Sequence, residues 1–202
     1  MKDNLTLLAS IPLWEVNDIR LLTDDERLFI DRLPEEKNNG NFLTKNKQIL
    51  DFLELADLKK LMQSYVDHYT KNILQITNDF VITDSWSTRT PPNGYHHEHR
   101  HPNSIFSGVY YSEIAGGLLE LAVPRQFSKE FNFGYDYSGF DAVNSSHWQV
   151  PTAPGTLVIF PSWVNHMVKP NDSKFDRRVI AFNTFVTGKL GNDHRLDNVT
   201  IG

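Results

Sequence analysis

The sequence contains no cysteine. This absence excludes disulfides, thiolate zinc sites, iron–sulfur clusters and cysteine nucleophiles, and it favours a reducing compartment. A basic excess is also missing, because 20 Lys and Arg residues against 25 Asp and Glu residues give a formal net charge of -5. Nucleic acid, which is bound largely through phosphate contacts, is therefore a disfavoured partner. The apolar runs are too short for a membrane span or a signal peptide, so we expect a cytoplasmic protein with no membrane partner.

Helical patterns come first in the chain of 202 residues, a length that suffices for one domain with a substantial core. The segment Thr23-Asp24-Asp25-Glu26 is a capping box that predicts the start of a helix, and Pro34 predicts its end. Residues 35–40 predict a polar loop. Apolar residues recur at helical spacing over 45–74, which predicts one long helix or two helices with a break near Asp51.

From Phe80 onward the pattern is typical of strands. The β-rich runs, separated by turn signals, are 80–83, 85–87, 105–111, 118–121, 155–160 and 178–185. Helices followed by antiparallel strands predict the α+β class. We expect a single domain over 1–202, with mainly helical support at 1–79, a β core at 80–187 and a C-terminal tail at 188–202.

The strongest candidate site is the segment Tyr95-His96-His97-Glu98-His99-Arg100-His101-Pro102, which holds four of the eight histidines. Residues two apart in a strand share a face, so the odd-numbered histidines would point one way and His96 and Glu98 the other. The pair His99 and His101 offers two imidazoles to a metal ion. The pair His96 and Glu98 offers an imidazole and a carboxylate, as in Fe(II) facial triads. Strand register decides between the pairs, and a solvated polar loop is the alternative without metal.

Two later segments offer partners for this cluster. His166 follows a predicted strand amid bulky apolar neighbours, which suits either a core histidine or a third metal ligand. Arg177 comes eleven residues later and shares a strand face with Asn183. A buried arginine is costly unless it is paired. Its partner is either a structural carboxylate or the carboxylate of a bound ligand, which a guanidinium grips with two hydrogen bonds.

The order of these segments resembles that of 2-oxoglutarate/Fe(II)-dependent oxygenases. The resemblance is closest to a prolyl-hydroxylase-like family of such oxygenases from bacteria and phages, and it runs from about Ile82 to Phe185 with a weaker echo in Ile11-Pro12-Leu13-Trp14. The matching blocks are Ile82-Thr83-Asp84-Ser85-Trp86, Gly94-Tyr95, His99-Arg100-His101-Pro102-Asn103-Ser104, Ser107-Gly108-Val109-Tyr110-Tyr111, Phe160-Pro161-Ser162-Trp163-Val164-Asn165-His166, Asp176-Arg177 and Ala181-Phe182-Asn183. The implied fold is a double-stranded β-helix, a jelly-roll or cupin-like core, with N-terminal supporting helices.

The resemblance also implies a site and a reaction. A dioxygenase of this kind uses Fe(II), 2-oxoglutarate and O2, and it couples decarboxylation of 2-oxoglutarate to succinate with C–H hydroxylation of a second substrate. That substrate is a peptide or protein, prolyl residues included, or a small molecule. Tyr111 is favoured over its neighbour as the tyrosine that donates to the cosubstrate carboxylate. The implied residues are His99, His101 and His166 for the metal, and Arg177, Tyr111, Tyr110 and Asn183 for the cosubstrate.

One residue departs from the wider superfamily, since His101 stands where a carboxylate is usual. Three imidazoles with an open position also suit Zn(II). Two other functions therefore stay open: a three-histidine cupin-like metalloenzyme that does not use 2-oxoglutarate, and a non-catalytic metal-binding β-module. His96, His97 and Glu98 are not expected to be primary ligands. If the chain is phage-encoded, the expected location is the cytoplasm of the host cell.

The segment 125–150 is rich in aromatic residues and has no clear period of 2 or 3.6. Exposed aromatic clusters often mark binding surfaces. We therefore predict a substrate lid, and the alternative is a static cover over one sheet face. The residues of this prediction are Phe127, Phe131, Phe133, Tyr135, Tyr137, Phe140 and Trp148, with Gly134 and Gly139 between them.

Overall fold

A computed structural model describes residues 11–113, 118–122, 138–139, 141, 145–191 and 198–202. The helices are α1 (Asp24–Asp31) and α2 (Ala56–Asp67), with 3-10 turns at Ile49–Asp51 and Leu53–Leu55 and a π-helical turn at His68–Ile73. The strands are β1 (Trp14–Val16), β2 (Glu35–Asn38), β3 (Asn41–Thr44), β4 (Asp79–Thr90), β5 (His96–His99), β6 (Phe106–Tyr111), β7 (Leu119–Ala122), β8 (His147–Val150), β9 (Thr156–Pro161), β10 (His166–Val168), β11 (Arg177–Leu190) and β12 (Val199–Ile201). Within the described ranges, none of the helices has both the length and the apolar character that crossing a membrane requires.

The strands form two antiparallel sheets. The larger sheet has the order β1-β9-β6-β11-β4-β3-β2, with β12 beside β11, and the smaller has the order β5-β10-β7-β8. Side chains of both sheets share one apolar cluster, which contains Tyr111 and Val179 from the larger sheet and Leu119 and Leu121 from the smaller. The other face of the larger sheet packs on the helices. Helices beside a two-sheet antiparallel core confirm the predicted α+β class and β-helix architecture.

Strand β6 lies at the centre of the larger sheet, and all six of its residues are buried. Phe106 and Tyr110 belong to the cluster on the helical side, whereas Val109 and Tyr111 belong to the cluster between the sheets. This division follows from the alternation of side chains along a strand. It places the side of β6 that carries Tyr111 toward the smaller sheet, where the histidines lie.

The capping box and the break near Asp51 are both confirmed. The Thr23 hydroxyl accepts from the Glu26 backbone N–H, and the Glu26 carboxylate accepts from the Thr23 N–H, so two free donors at the start of α1 are satisfied. Of the range 45–74 that was predicted to be helical, residues 45–48 are not helical. Two 3-10 turns follow, with Phe52 between them, and the α-helix begins at Ala56. The face of α2 that contacts the larger sheet contains Leu58, Met62 and Val66, which are spaced at helical intervals.

The polar loop expected at 35–40 is wrong, because Glu35–Asn38 and Asn41–Thr44 form a hairpin. The chain reverses at Gly40, whose φ of +87° is unfavourable for other residues. The outer strand of this hairpin, β2, is the edge of the larger sheet, and charged side chains are common on edge strands. The described part of the predicted tail also pairs, since Val199–Ile201 lies against the end of β11. The division at 79 and 187 stays a prediction.

Candidate metal centre

Three histidines from two distant parts of the chain meet between the two sheets. Strand β5 pairs with β10, and this pairing places His99 opposite His166. His101 follows β5, and its backbone N–H donates to the Ser162 carbonyl over 3.0 Å. One ring nitrogen from each histidine lies within 4.8 Å of the other two, and the Nε2 atoms of His99 and His101 are 3.2 Å apart. The structure thus brings together the three residues that the resemblance implies.

Each of these rings has an oxygen beside its Nδ1 atom. Nδ1 lies 2.8 Å from the His97 carbonyl in His99 and 3.0 Å from the Val164 carbonyl in His166. In His101 it lies 2.5 Å from Oδ1 of Asn183. An oxygen acceptor places the proton on Nδ1, which leaves the Nε2 lone pair for a metal. Metal–nitrogen bonds of about 2.1 Å bring neighbouring ligand atoms to about 3.0–3.4 Å, so the spacing of His99 and His101 fits one ion.

The electrostatic setting keeps these imidazoles neutral. Burial lowers the pKa of His99 to about 4 and also lowers the pKa of His101. Burial holds the pKa of His166, which is 3% exposed, well below its ordinary value. Neutral imidazole is the form that binds a metal ion, so the site is ready for a cation near neutral pH.

A β-bulge in β5 changes the predicted facing of the histidine cluster. His99 lies opposite His166, but His96 lies opposite Val168, so three steps along β5 match two steps along β10. His96 therefore shares a side with His99, and the two rings stack with centroids 4.2 Å apart. The expectation that His96 points away from His99 is wrong for this reason. Glu98 accepts a hydrogen bond of 3.0 Å from the Asn165 side chain and is not part of the histidine group.

Arg177 and Tyr111 lie on the inner side of the larger sheet. Arg177 is 2% exposed, and the Tyr111 hydroxyl is buried with no well-formed hydrogen bond among the described residues. Burial raises the pKa of Tyr111 to about 12, while the charge of Arg177 and the nearby Thr152 act against the rise. Burial also lowers the pKa of Arg177, and the proximity of Tyr111 opposes that change. A buried guanidinium near a buried phenol fits the carboxylate of a small ligand.

Arg178 has the structural role that was considered for Arg177. Its guanidinium lies 2.9 Å from the Asp31 carboxylate and 3.4 Å from the Glu35 carboxylate on the helical side of the sheet. The two arginines are adjacent on β11 and point in opposite directions. The ion pairs with Asp31 and Glu35 therefore belong to Arg178, whereas Arg177 lies on the side of the sheet that faces the histidines.

The inclusion of Tyr110 among the cosubstrate residues is wrong. Its hydroxyl donates to the backbone carbonyl of Arg20 on the helical side, because adjacent residues of β6 face opposite ways. Asn183 contacts His101, a contact that sequence reasoning missed. Its predicted contact with the cosubstrate stays a prediction. The residues Phe127, Phe131, Phe133, Gly134, Tyr135, Tyr137 and Phe140 lie outside the described ranges, so the lid also stays a prediction.

Comparison with protein families defines the class. Residues 84–183 match the family model described as "Putative 2OG-Fe(II) oxygenase". The chain contains a domain of this family of 2-oxoglutarate- and Fe(II)-dependent oxygenases and is an oxidoreductase. The matched segment includes the three histidines together with Tyr111 and Arg177. No curated protein matches the sequence.

Solved structures share the fold at low sequence identity. An oxidoreductase of the 2OG-Fe(II) oxygenase family from Burkholderia pseudomallei is 15% identical over 85% of this chain and 83% of its own, with a TM-score of 0.59. A prolyl-4-hydroxylase from Pseudomonas putida is 14% identical over 89% of this chain and 94% of its own, with a TM-score of 0.54. HygX from Streptomyces hygroscopicus, with nickel, 2-oxoglutarate and hygromycin B bound, is 11% identical over 86% of this chain and 82% of its own, with a TM-score of 0.57. At these identities the likeness establishes the fold alone.

Proposed function

We propose that this oxygenase is a hydroxylase whose Fe(II) is held by His99, His101 and His166. The observation that carries the proposal is the convergence of three imidazoles whose Nδ1 atoms all face oxygen acceptors. Imidazole suits iron, and the family supplies the expectation of that metal. When bound, iron and 2-oxoglutarate supply an O2-dependent oxidation that yields succinate and hydroxylates a C–H bond of the prime substrate.

The cosubstrate carboxylate remote from the metal is proposed to pair with Arg177 and Tyr111. The guanidinium offers parallel N–H donors, and the phenol, which is neutral at physiological pH, offers an O–H donor. Both groups are buried, so water competes weakly for the carboxylate and each hydrogen bond is stronger than at the surface. These two residues would orient 2-oxoglutarate with its 2-oxo acid end toward the histidines.

The prime substrate is proposed to be a peptide, a protein or a small molecule. The similar structures include a prolyl-4-hydroxylase and a protein with hygromycin B bound, so the fold accommodates both classes. The net charge of -5 disfavours nucleic acid. We also keep the prediction of a cytoplasmic location, which rests on the short apolar runs and on the absence of cysteine.

Anaerobic titration with Fe(II) and then 2-oxoglutarate tests the proposal. The wild-type protein is expected to develop a weak visible charge-transfer band and a 2-oxoglutarate-dependent rise in melting temperature. His101→Ala is expected to lose the band through loss of metal, and Arg177→Ala through loss of 2-oxoglutarate while metal still binds. If the wild-type protein gives neither the band nor the thermal shift, the proposal is wrong.

A three-histidine enzyme without 2-oxoglutarate is the second candidate, because three imidazoles also suit Zn(II). Arg177→Ala separates the two candidates. Loss of succinate formation in that variant supports the oxygenase, whereas metal-dependent activity that persists after the substitution supports the second candidate. Tight metal binding with no succinate formed from any tested substrate would instead support a non-catalytic module.

A further inference from the structure

A chain of hydroxyl groups leads through the interior to His101. The Oγ atom of Ser104 lies 2.7 Å from that of Ser162, which lies 2.7 Å from that of Ser107. Ser107 Oγ also lies 2.9 Å from Asn183 Oδ1 and 3.0 Å from His101 Nδ1. Ser107 and Ser162 have no solvent exposure. The five residues come from four blocks of the sequence pattern. Only His101 is a proposed metal ligand, and only Asn183 is predicted to contact the cosubstrate, so the three serines have no role in the proposed function.

The donors in this chain can be assigned from its chemistry. Each serine has one O–H donor, and an oxygen that donates once still accepts. Ser104 has three acceptors within reach, and Ser162 at 2.7 Å is nearer than the carbonyls of Phe106 at 3.1 Å and Thr184 at 3.3 Å. In the arrangement that uses the shortest contacts, Ser104 donates to Ser162, Ser162 donates to Ser107, and Ser107 donates to Oδ1 of Asn183. That oxygen has a second lone pair, which accepts the Nδ1–H of His101. Every hydroxyl proton is used in this arrangement, and Nε2 of His101 keeps the lone pair that a metal requires.

The opposite orientation of the Asn183 amide would have a different result. Its NH2 group would then donate to Nδ1 of His101, and the imidazole proton would move to Nε2, where it blocks a metal. The NH2 group of Asn183 would also lie against the hydroxyl of Ser107, and this hydroxyl would lose its acceptor at Asn183. In that orientation the Ser107 hydroxyl could instead donate to Nδ1 of His101, 3.0 Å away. The structure has the first orientation, in which Oδ1 of Asn183 faces both Ser107 and Nδ1 of His101.

We propose that Asn183 and the serines Ser107, Ser162 and Ser104 are positioning residues that fix the orientation and tautomer of His101. The inference rests on the proposed metal centre. As a metal ligand, the imidazole of His101 brings a second ring nitrogen that must be satisfied inside the protein. The chain of hydroxyls meets this requirement. It holds the amide oxygen toward the ring, so that the ring presents only one nitrogen to the metal.

Cobalt(II) titration of the full chain, followed by visible absorbance, tests the proposal. Asn183→Leu removes the acceptor and is expected to weaken Co(II) binding roughly 10- to 100-fold, the usual effect of losing a partner behind a metal ligand. Asn183→Asp keeps an oxygen acceptor and is expected to bind nearly as the wild type does. Ser107→Ala is expected to lie between them. Ser112→Ala is the matched control, because Ser112 is 2% exposed and its hydroxyl donates to the Arg178 carbonyl, outside the chain of hydroxyls.

The tautomer of His101 in the metal-free protein gives a second readout by nitrogen-15 NMR. The wild-type ring is expected to carry its proton on Nδ1, and Asn183→Leu is expected to lose this preference. A wild-type proton on Nε2, or an Asn183→Leu variant that binds Co(II) as the wild type does, overturns the inference. If the tautomer is as expected but no metal binds, the proposed function fails alone. If a variant does not fold, the wild-type tautomer still decides.

Discussion

Tyr110 and Tyr111 are adjacent in the sequence, yet their hydroxyls lie on opposite sides of the larger sheet. Both tyrosines lie in one sequence block, and the sequence alone does not show which of them faces the metal site. Adjacent residues of a strand point to opposite faces, but the sequence does not tell which face is which. The choice of Tyr111 rested on resemblance. The contact of Tyr110 with the Arg20 carbonyl supplies the physical reason, since a residue engaged there does not reach the histidines.

The first prediction compares the two tyrosines. Tyr111→Phe is expected to weaken 2-oxoglutarate binding about 10-fold or more, because a hydrogen bond to a charged group contributes about 1.5–3 kcal/mol. Tyr110→Phe is expected to lower the melting temperature with little change in 2-oxoglutarate affinity. Isothermal titration of the Fe(II)-loaded protein under nitrogen measures both affinities. Equal losses in the two variants would contradict the assignment of faces.

The second prediction concerns the ligand pair in the histidine cluster. Glu98→Gln is expected to retain metal binding, since a glutamine oxygen still accepts from Asn165 and no ligand is removed. His101→Ala is expected to lose most of the affinity. Metal content measured after dialysis separates the variants. If Glu98→Gln loses the metal while His101→Ala retains it, then His96 and Glu98 are the ligand pair and the assignment is wrong.

At the scale of the element, features that depend on residues close in sequence were predicted correctly, whereas features that depend on strand pairing were not. The capping box predicted the start of α1 because its two hydrogen bonds join residues three apart. The β5 bulge depends on the partner strand, so the alternation assumed for His96 and His99 failed. The β2–β3 hairpin was missed because the charges of an edge strand resemble those of a loop.

The third prediction concerns the charge at the start of α1. Burial raises the pKa of Glu26, but hydrogen bonds from Arg20 and Thr23 lower it further, and the net change is downward. Glu26 therefore contributes stability above the unfolded-state pKa, and this contribution is lost as pH falls through the lower folded-state pKa. Glu26→Gln keeps a side-chain oxygen for the cap but loses the charge. It is expected to cost roughly 0.5–1 kcal/mol at pH 7 and less at pH 3, as measured by urea unfolding at both values. An equal cost at both would show that the charge contributes nothing.

The fourth prediction concerns the contact between β6 and β11. A Cβ atom at Gly108 would lie 2.1 Å from the ring of Phe182, which is fully buried, so the ring or the backbone would have to shift. Gly108→Ala is expected to lower the free energy of unfolding by about 1–3 kcal/mol or more. Denaturant melts of this variant and of Gly188→Ala, where a Cβ meets no neighbour but φ is +84°, separate overpacking from backbone strain. A smaller loss at Gly108 than at Gly188 would contradict the packing argument.

At the scale of the whole molecule, the order of motifs predicted the fold through resemblance, and it also predicted that His99, His101 and His166 would lie together. Composition alone would have predicted neither. The network behind His101 was not predictable, because its hydrogen bond to Asn183 spans 82 residues of sequence. Nothing in the local sequence around two polar residues in separate strands indicates that they form a hydrogen bond. Such contacts emerge only when the two sheets are in place.

The pairing of β1 with β9 also constrains the order of events during synthesis. Trp14 lies opposite Ile159, 145 residues later in the chain. At about 5–20 residues per second, the ribosome needs roughly 7–29 s to supply that partner. During this interval β1 has no β9 to pair with. His99 and His101 are likewise synthesised before His166 and Asn183. At the proposed metal centre, iron can therefore bind only after most of the chain has been synthesised. Metal must therefore be available to the protein near the end of its synthesis or afterwards.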